Sequence, residues 1–272
     1  MRDSSLAFLV LLLAACAPEA DNSTTAENGE VAEQNGLDAA IAGDLRSAEN
    51  KARDQYRHPK ETLEFFGVEQ DDLVVEIWPG GGWYTEILAP YLAEEGSLAL
   101  VAADDRLKSV RDMAATNPEA FKSVLFSPIE KPGDATTFPA GSADVVLTFR
   151  NVHNWEMGDE PYGDTMFAAM FEMLRPGGTL GVVEHRLPED RPDEDMKSSG
   201  YMKQSRVVAL AEAAGFELVE ASEINANPDD TADHPEGVWT LPPRLALDDV
   251  DREKYVAIGE SDRMTLKFRK PE

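Results

Sequence analysis

The sequence predicts a three-layer α/β sandwich: a mostly parallel, seven-stranded sheet with helices on both faces and an antiparallel final strand. Three observations predict it. Short apolar runs alternate with amphipathic stretches through the middle of the chain, the pattern of repeated strand–helix units. The first run, Leu73 to Ile77, is almost continuously apolar, as a strand covered on both faces must be. It passes into Trp78-Pro79-Gly80-Gly81-Gly82 and then a helix-like segment, the strand–loop–helix order that opens such a domain.

Taken in order, Asp38 to Tyr56 has helical spacing, with Ile41, Leu45, Ala48 and Ala52 on one face. His58-Pro59 breaks it, and Lys60 to Phe66 is a short second helix capped by Gly67. After strand 73–77 comes a helix over 83–93, a turn at Glu94-Glu95-Gly96, and a second strand over 97–103 ended by Asp104-Asp105. A helix over 107–116, a third strand over 122–126, a Pro- and Gly-rich loop over 127–141 and a fourth strand over 143–149 follow. That strand leads into Arg150-Asn151-Val152-His153-Asn154-Trp155. The helix over 165–174 puts Phe167, Met170, Phe171 and Leu174 on one face and stops at Arg175-Pro176-Gly177-Gly178. A fifth strand spans 179–184, a charged loop 186–199, a helix 205–214 and a sixth strand 216–222. The segment 225–251 is irregular, and 263–269 alternates as a last strand. With no evident helix between them, the last two strands pair antiparallel.

Composition narrows the function. The chain has 272 residues, 42% of them hydrophobic, enough for one large domain. Against 25 Lys and Arg stand 52 Asp and Glu, a formal charge of −27 that repels phosphate backbones and argues against a nucleic-acid partner. The single cysteine, Cys16, allows neither an internal disulfide nor a cysteine zinc site. It ends a segment of Arg2, an apolar run from Leu6 to Ala15, and Leu13-Ala14-Ala15-Cys16. The run is too short to span a bilayer as a helix. This layout resembles the bacterial lipoprotein signal rather than an ordinary secretory signal with an incidental cysteine. The resemblance implies cleavage before Cys16, lipidation of its thiol, and anchoring to the membrane through it. Ala17 beyond it implies an outer-membrane lipoprotein facing the periplasm. The expected organisation is a signal peptide over 1–16, a polar disordered tether over 17–43 and a folded domain over 44–272.

In a sheet of this kind ligands bind beyond the carboxyl ends of the central strands. Glu76 to Gly82, Asp104-Asp105, Gly133-Asp134-Ala135 and Asn151 to Trp155 converge there. Glycines let backbone approach a ligand closely. The spacing is not the dinucleotide G-x-G-x-x-G, and there is no phosphate-loop lysine. An acid at Glu76 disfavours a pyrophosphate and suits a cation, and an acid after the second strand can accept ribose hydroxyls. The combination suits a nucleoside carrying positive charge and no phosphate.

These residues resemble the class I S-adenosylmethionine-dependent methyltransferases, which are Rossmann-like. Glu76, Gly80 and Gly82 match acid-x-x-x-Gly-x-Gly, and Asp104 or Asp105, Gly133-Asp134-Ala135 and Leu174-Arg175-Pro176-Gly177-Gly178 follow in the expected order. Trp78 to Thr85, Phe149 to Trp155 and the tail Lys267 to Pro271 look like a bacterial group of predicted methyltransferases. The resemblance implies that Glu76, Gly80, Gly81 and Gly82 border the methionine part of S-adenosylmethionine. It places Asp104 or Asp105 on the ribose and Asp134 with Ala135 on the adenine. Asn151 and His153 then lie near the methyl group and the substrate. The family usually has glycine where this chain has Trp78, so the indole lines the cofactor pocket or partly fills it. Each residue has a plainer alternative. The glycines can make a tight turn, an aspartate can cap a helix, His153 can be structural, and Trp78, Trp83 and Trp155 can be core. No metal spacing includes His185, and no metal is expected.

The implied activity is methyl transfer to a small molecule, governed mainly by alignment, with His153 the first candidate base because imidazoles titrate near neutrality. The alternative is a non-catalytic envelope lipoprotein that uses the scaffold to bind a ligand or protein. A nicotinamide-dependent enzyme fits less well, because the glycine spacing is wrong.

Overall fold

The structure, a computed structural model, describes residues 36–131 and 138–272. Cys16, Asp134 and Ala135 lie outside the described residues. No helix among the described residues is long and apolar enough to cross a membrane.

The strands are β1 (Leu73–Ile77), β2 (Ser97–Ala103), β3 (Val124–Ile129), β4 (Ala143–Phe149), β5 (Leu174–Leu187), β6 (Met202–Lys203), β7 (Glu217–Ser222) and β8 (Arg263–Arg269). The main sheet runs β3-β2-β1-β4-β5-β8-β7, and the two-residue β6 pairs with β5 off this path. β8 is antiparallel to both its neighbours, and the pairings from β3 to β5 are parallel. The expected sandwich with an antiparallel last strand is therefore present.

The helices are α1 (36–42), α2 (Ala48–Lys51), α3 (Asp54–Arg57), α4 (Pro59–Phe66), α5 (Thr85–Leu92), α6 (Lys108–Thr116), α7 (Val152–Glu156), α8 (Gly163–Met173), α9 (Gln204–Ala214) and α10 (Arg252–Ile258). The long helix expected over 38–56 is broken into α1, α2 and α3. The first break is a turn from Gly43 to Arg46 that ends at Ser47, whose hydroxyl accepts the Asn50 N–H at 3.1 Å and starts α2; the second is a turn at Ala52-Arg53, where the Arg53 N–H donates to the Asn50 carbonyl at 3.2 Å. α1 lies inside the stretch expected as a tether. Leu37 and Ala40 are buried in the core, so the folded chain reaches back at least to residue 36.

Other boundaries moved for local reasons. β3 runs two residues beyond Ser127 because Pro128 sits on an edge strand, where a missing N–H costs little. β5 begins at Leu174, taking in the Pro-Gly-Gly segment through a register irregularity opposite Ala143 and Val145. α10 lies between β7 and β8, where no helix was expected.

The N-terminal helices are fixed over the sheet by three contacts. Phe66 of α4 packs so closely on β5 that a Cβ at Gly181 would stand 2.7 Å from its ring. The Trp83 indole lies 4.8 Å from the guanidinia of both Arg46 and Arg57, and its Nε1 donates to the Asn50 carbonyl at 3.1 Å. Glu260, just before β8, accepts from Arg53 Nε at 2.5 Å, from Arg57 Nε at 3.0 Å and from Arg263 Nη2. Burial opposes ionisation of Glu260, but Arg263, Arg57 and Arg53 outweigh it and hold its carboxyl at about 2.

Removing one partner of a buried ion-pair network leaves uncompensated charge. Glu260→Gln is expected to lower unfolding stability at neutral pH by roughly 3–5 kcal/mol, measured by urea denaturation. Because the folded carboxyl titrates below its ordinary value, wild type holds this contribution above about pH 4.5 and loses it as pH falls toward about 2. The variant lacks that acid-induced decline.

Candidate functional site

The crevice forms where β1 and β4 lie side by side and their connections leave in opposite directions, β1 toward β2 and β4 toward β5. Both strands end the same way. The Trp78 N–H donates to the Val101 carbonyl of β2 at 2.8 Å, and the Arg150 N–H donates to the Val183 carbonyl of β5 at 2.7 Å. Each residue then adopts a left-handed backbone, with φ 54° at Trp78 and 60° at Arg150, conformations that non-glycine residues rarely hold without reason.

The β1 turn keeps the conformation that a glycine at 78 would favour, despite the indole. Gly80 at φ 60° and Gly82 at φ 88° complete it. A Cβ at Gly80 or Gly81 would meet nothing within 4 Å, whereas one at Gly82 would stand 3.0 Å from Val110 and Met113 of α6. Gly82 therefore serves close packing, and Gly80 and Gly81 border open space. Glu76 is buried and accepts from the Thr85 hydroxyl at 2.6 Å. Burial raises its carboxyl to about 7, with the Thr85 hydrogen bond pulling the other way.

Trp78 is mostly buried, edge-on to Trp155 at 5.9 Å, and the Arg106 guanidinium lies 4.4 Å from the centre of its ring. Trp155 is fully buried core, and Trp83 is held between two arginines, so neither offers a free face for stacking a substrate. At the end of β2, Asp104 and Asp105 are both exposed at the start of a 3-10 turn, and Asp104 pairs with Arg111 at 2.8 Å.

Asn151 is a clasp. Its Nδ2 lies 3.0 Å from the Ile77 carbonyl, 3.2 Å from that of Trp78 and 3.1 Å from the Thr148 hydroxyl. His153 sits in the first turn of α7, a helix the sequence reading missed. Both oxygens of buried Glu184 accept backbone N–H groups: Oε1 from His185 at 2.7 Å and Oε2 from His153 at 3.1 Å. His153 Nδ1 lies 2.9 Å from Oε1 and so donates to it, leaving Nε2 as the nitrogen able to take a proton. His185 Nδ1 is 2.5 Å from the Ser261 hydroxyl. Burial, then repulsion from His153, holds His185 well below its ordinary value, so it is neutral.

His153, Glu184 and His185 offer donor atoms within 4.8 Å of one another, a grouping that chain spacing did not reveal. The Glu184 oxygens are already engaged, and Arg263, Arg150 and Arg57 press positive charge on His185. The arrangement is that of a carboxylate-oriented imidazole rather than a cation cage. Glu184, Arg106 and the arginines facing His185 are the site residues sequence reasoning missed. Arg57 and Arg263 are far apart in the chain and carried no local signal; the Glu184-His185 pair at a strand end did.

No protein-family profile matches the sequence, and no curated protein matches it. Solved structures share the fold at low identity. The [4+2]-cyclase SpnF is 17% identical over 90% of this chain and 96% of that one, with a TM-score of 0.58. A putative sarcosine dimethylglycine methyltransferase from Galdieria sulphuraria is 14% identical over 80% and 84%, with a TM-score of 0.55. A SAM-dependent methyltransferase from Aquifex aeolicus is 15% identical over 64% and 87%, with a TM-score of 0.52. The chain thus has the fold of class I S-adenosylmethionine-dependent methyltransferases.

Glu76 makes the site measurable through stability. Its folded carboxyl titrates near 7 and its unfolded one near 4.5, so its favourable contribution is full below about pH 4.5 and lost as pH rises through about 7. Glu76→Gln should flatten the decline in unfolding stability between pH 5 and 8 by about 2–3 kcal/mol, read by urea denaturation across that range.

Proposed function

We propose that this protein transfers a methyl group from S-adenosylmethionine to a small molecule. One observation carries the reading: the open β1 turn, with unfilled space over Gly80 and Gly81 and a buried acid at Glu76, stands at the β1–β4 crevice of a methyltransferase fold. The residues fit a cationic nucleoside. Glu76, Gly80 and Gly81 would hold its amino-acid end, and Asp104 or Asp105 its ribose. Asp134 and Ala135 are assigned to the adenine from the sequence motif alone. The Trp78 ring, whose face already receives a guanidinium, suits positive charge. Bound there, S-adenosylmethionine supplies an electrophilic methyl group.

The chain's own residues supply alignment and a proton acceptor. Asn151 fixes the end of β1 against that of β4, so it positions the turn rather than reacting. His153, held through Nδ1 by Glu184, takes the acceptor's proton at Nε2. The proton leaves as the acceptor's nucleophilic atom bonds to the methyl carbon and the carbon–sulfur bond breaks.

A second reading has its own support. Arg106 covers Trp78 at 4.4 Å, and a protein named as a [4+2]-cyclase shares the fold, so the scaffold does not require methyl transfer. In that reading the chain is an envelope lipoprotein that binds a ligand without turning it over.

Calorimetry with S-adenosylmethionine, S-adenosylhomocysteine and NAD separates these readings. Binding of the first two and not NAD is expected; no heat with any of them favours the second reading. Gly81→Val should weaken S-adenosylmethionine binding at least a hundredfold with an unchanged circular dichroism spectrum, because a side chain at 81 meets no protein atom within 4 Å and, unlike one at Gly80, needs no left-handed backbone. Unchanged affinity would contradict the site.

We also propose that the chain is an outer-membrane lipoprotein anchored through lipidated Cys16, at about 0.8 kcal/mol per buried methylene of its acyl chains. Cys16→Ser should move the protein from the membrane to the soluble fraction; a variant still in the membrane fraction would contradict the anchor.

A further inference from the structure

Two loops that the proposed chemistry does not use meet beside the crevice and enclose a cleft of about 320 Å³, a volume that takes a small molecule. Arg191 and Asp195 come from the loop after β5, and Asp233, His234, Glu236 and Trp239 from the segment after β7. The walls are fixed. The Val238 N–H donates to the Ser199 carbonyl at 2.8 Å, and Gly237 runs so close to that carbonyl that a Cβ there would stand 2.1 Å from it. Ala232 holds a left-handed backbone, φ 52°, with its N–H bonded to Asp230 Oδ1 at 2.9 Å.

Asp230 sets the state of His234. Its buried carboxylate accepts from the Tyr201 hydroxyl at 3.0 Å and the Asp262 N–H at 2.8 Å as well as from Ala232, and it lies 2.8 Å from His234 Nε2. A carboxylate so placed takes a proton-bearing Nε2, which leaves Nδ1 of the neutral ring as a lone-pair acceptor. The His234 side chain is only 4% exposed, yet its Nδ1 bonds to nothing among the described residues and is not sealed in. Because the ring lines the cleft, Nδ1 is the atom that a ligand there meets. The charges around it agree in sign. Asp195, Asp233 and Glu236 stand against one guanidinium, and Arg191 already pairs with Asp195 at 3.1 Å. The hydrogen bond from Thr231 holds the Asp233 carboxyl below its usual value, so it is ionised. Trp239 adds an indole, a ring that attracts cations. Among the described residues the one grouping of three His, Asp or Glu donors within 4.8 Å is His153, Glu184 and His185. The acids of the cleft are therefore spread for an organic cation rather than converged on a metal ion.

We propose that this cleft binds the protonated amine of a small molecule, with an N–H donated to His234 Nδ1 and the charge met by Asp233, Glu236 and the Trp239 ring. That ring is also 6.3 Å from the ring of His153, so the bound amine lies one indole away from the proposed proton acceptor. On the methyltransferase reading, and only there, the ammonium is the handle by which the methyl acceptor is recognised; without a lone pair it is not the atom that attacks the methyl group. The amine site itself does not rest on that reading.

The test titrates the full chain with n-propylammonium chloride, tetramethylammonium chloride and sodium propionate at constant ionic strength. It is run at about pH 8, where alkylammonium ions keep their charge and free imidazoles have lost theirs. The readout is the indole N–H signals of the four tryptophans by nuclear magnetic resonance, with that of Trp239 assigned through Trp239→Phe. n-Propylammonium should shift the Trp239 signal and bind at least tenfold more tightly than propionate. Tetramethylammonium, which brings no N–H to His234, should bind at least fivefold more weakly. The double variant Asp233→Asn, Glu236→Gln, changed only at exposed positions, should also lose at least fivefold. An unmoved Trp239 signal, equal binding of propionate or tetramethylammonium, equal affinity in the double variant, or displacement of the amine by equimolar calcium chloride would overturn the site. S-adenosylhomocysteine is then added. Both ligands bound together support the handle, and displacement of the amine overturns a separate site. Amine binding without binding of S-adenosylhomocysteine keeps the site and defeats the methyltransferase reading. Binding of S-adenosylhomocysteine without the amine does the reverse.

Discussion

The amide of Asn151 sets the geometry on which the upper end of the sheet depends. It holds the carbonyls of Ile77 and Trp78 from the end of β4, and the Thr148 hydroxyl joins the same contact. Two strands whose connections diverge would otherwise be free to splay at their tips. With that contact, β1 and β4 end in register, each on a left-handed residue whose N–H still bonds the outer neighbouring strand. Two strained non-glycine residues at the two strand ends bordering one crevice are what a preorganised binding site requires, and the surrounding hydrogen bonds hold them there. An Asn151→Ala chain would lose the clasp while keeping the core.

Charge is distributed to the same end. The chain is strongly acidic overall, and the buried ionic groups near the crevice are mixed: Arg57 and Arg263 beside Glu260, with Glu76 and Glu184. Glu260 ties α3 to the start of β8 and so closes the N-terminal helices over the sheet. Glu184 orients His153. Each carboxylate thus has a structural and a chemical consequence. Changes at Glu260 would alter the stability of the N-terminal cover.

Much of this was legible in the chain. The apolar run of β1, the glycine cluster and the alternation of strands and helices specified the sheet, because buried parallel strands leave an unambiguous pattern. The acid at Glu76 and the glycines after it marked the turn, but Gly82, expected to border a ligand with Gly80, packs against α6. Other features had no local signature. The tightening at Gly82 depends on Val110 and Met113 from α6, and the role of Asn151 on carbonyls more than seventy residues away. The sequence left open whether Trp78 lined the pocket or partly filled it, because it could not show the backbone adopting a glycine-like conformation with the ring turned against Trp155. α7 and α10 were missed because they are short and lie in polar or irregular stretches, where propensity is weak and tertiary packing decides.

The turn, the clasp and the oriented imidazole all border the crevice in which the proposed cationic nucleoside would bind. The most direct measurement is a crystal structure of the protein grown with S-adenosylhomocysteine. The account predicts its amino-acid end over Gly80 and Gly81 beside Glu76, with the sulfur facing the Asn151–His153 side of the crevice. Density for the ligand elsewhere, or an intact Arg106–Trp78 contact filling an empty crevice at saturating ligand, would contradict it.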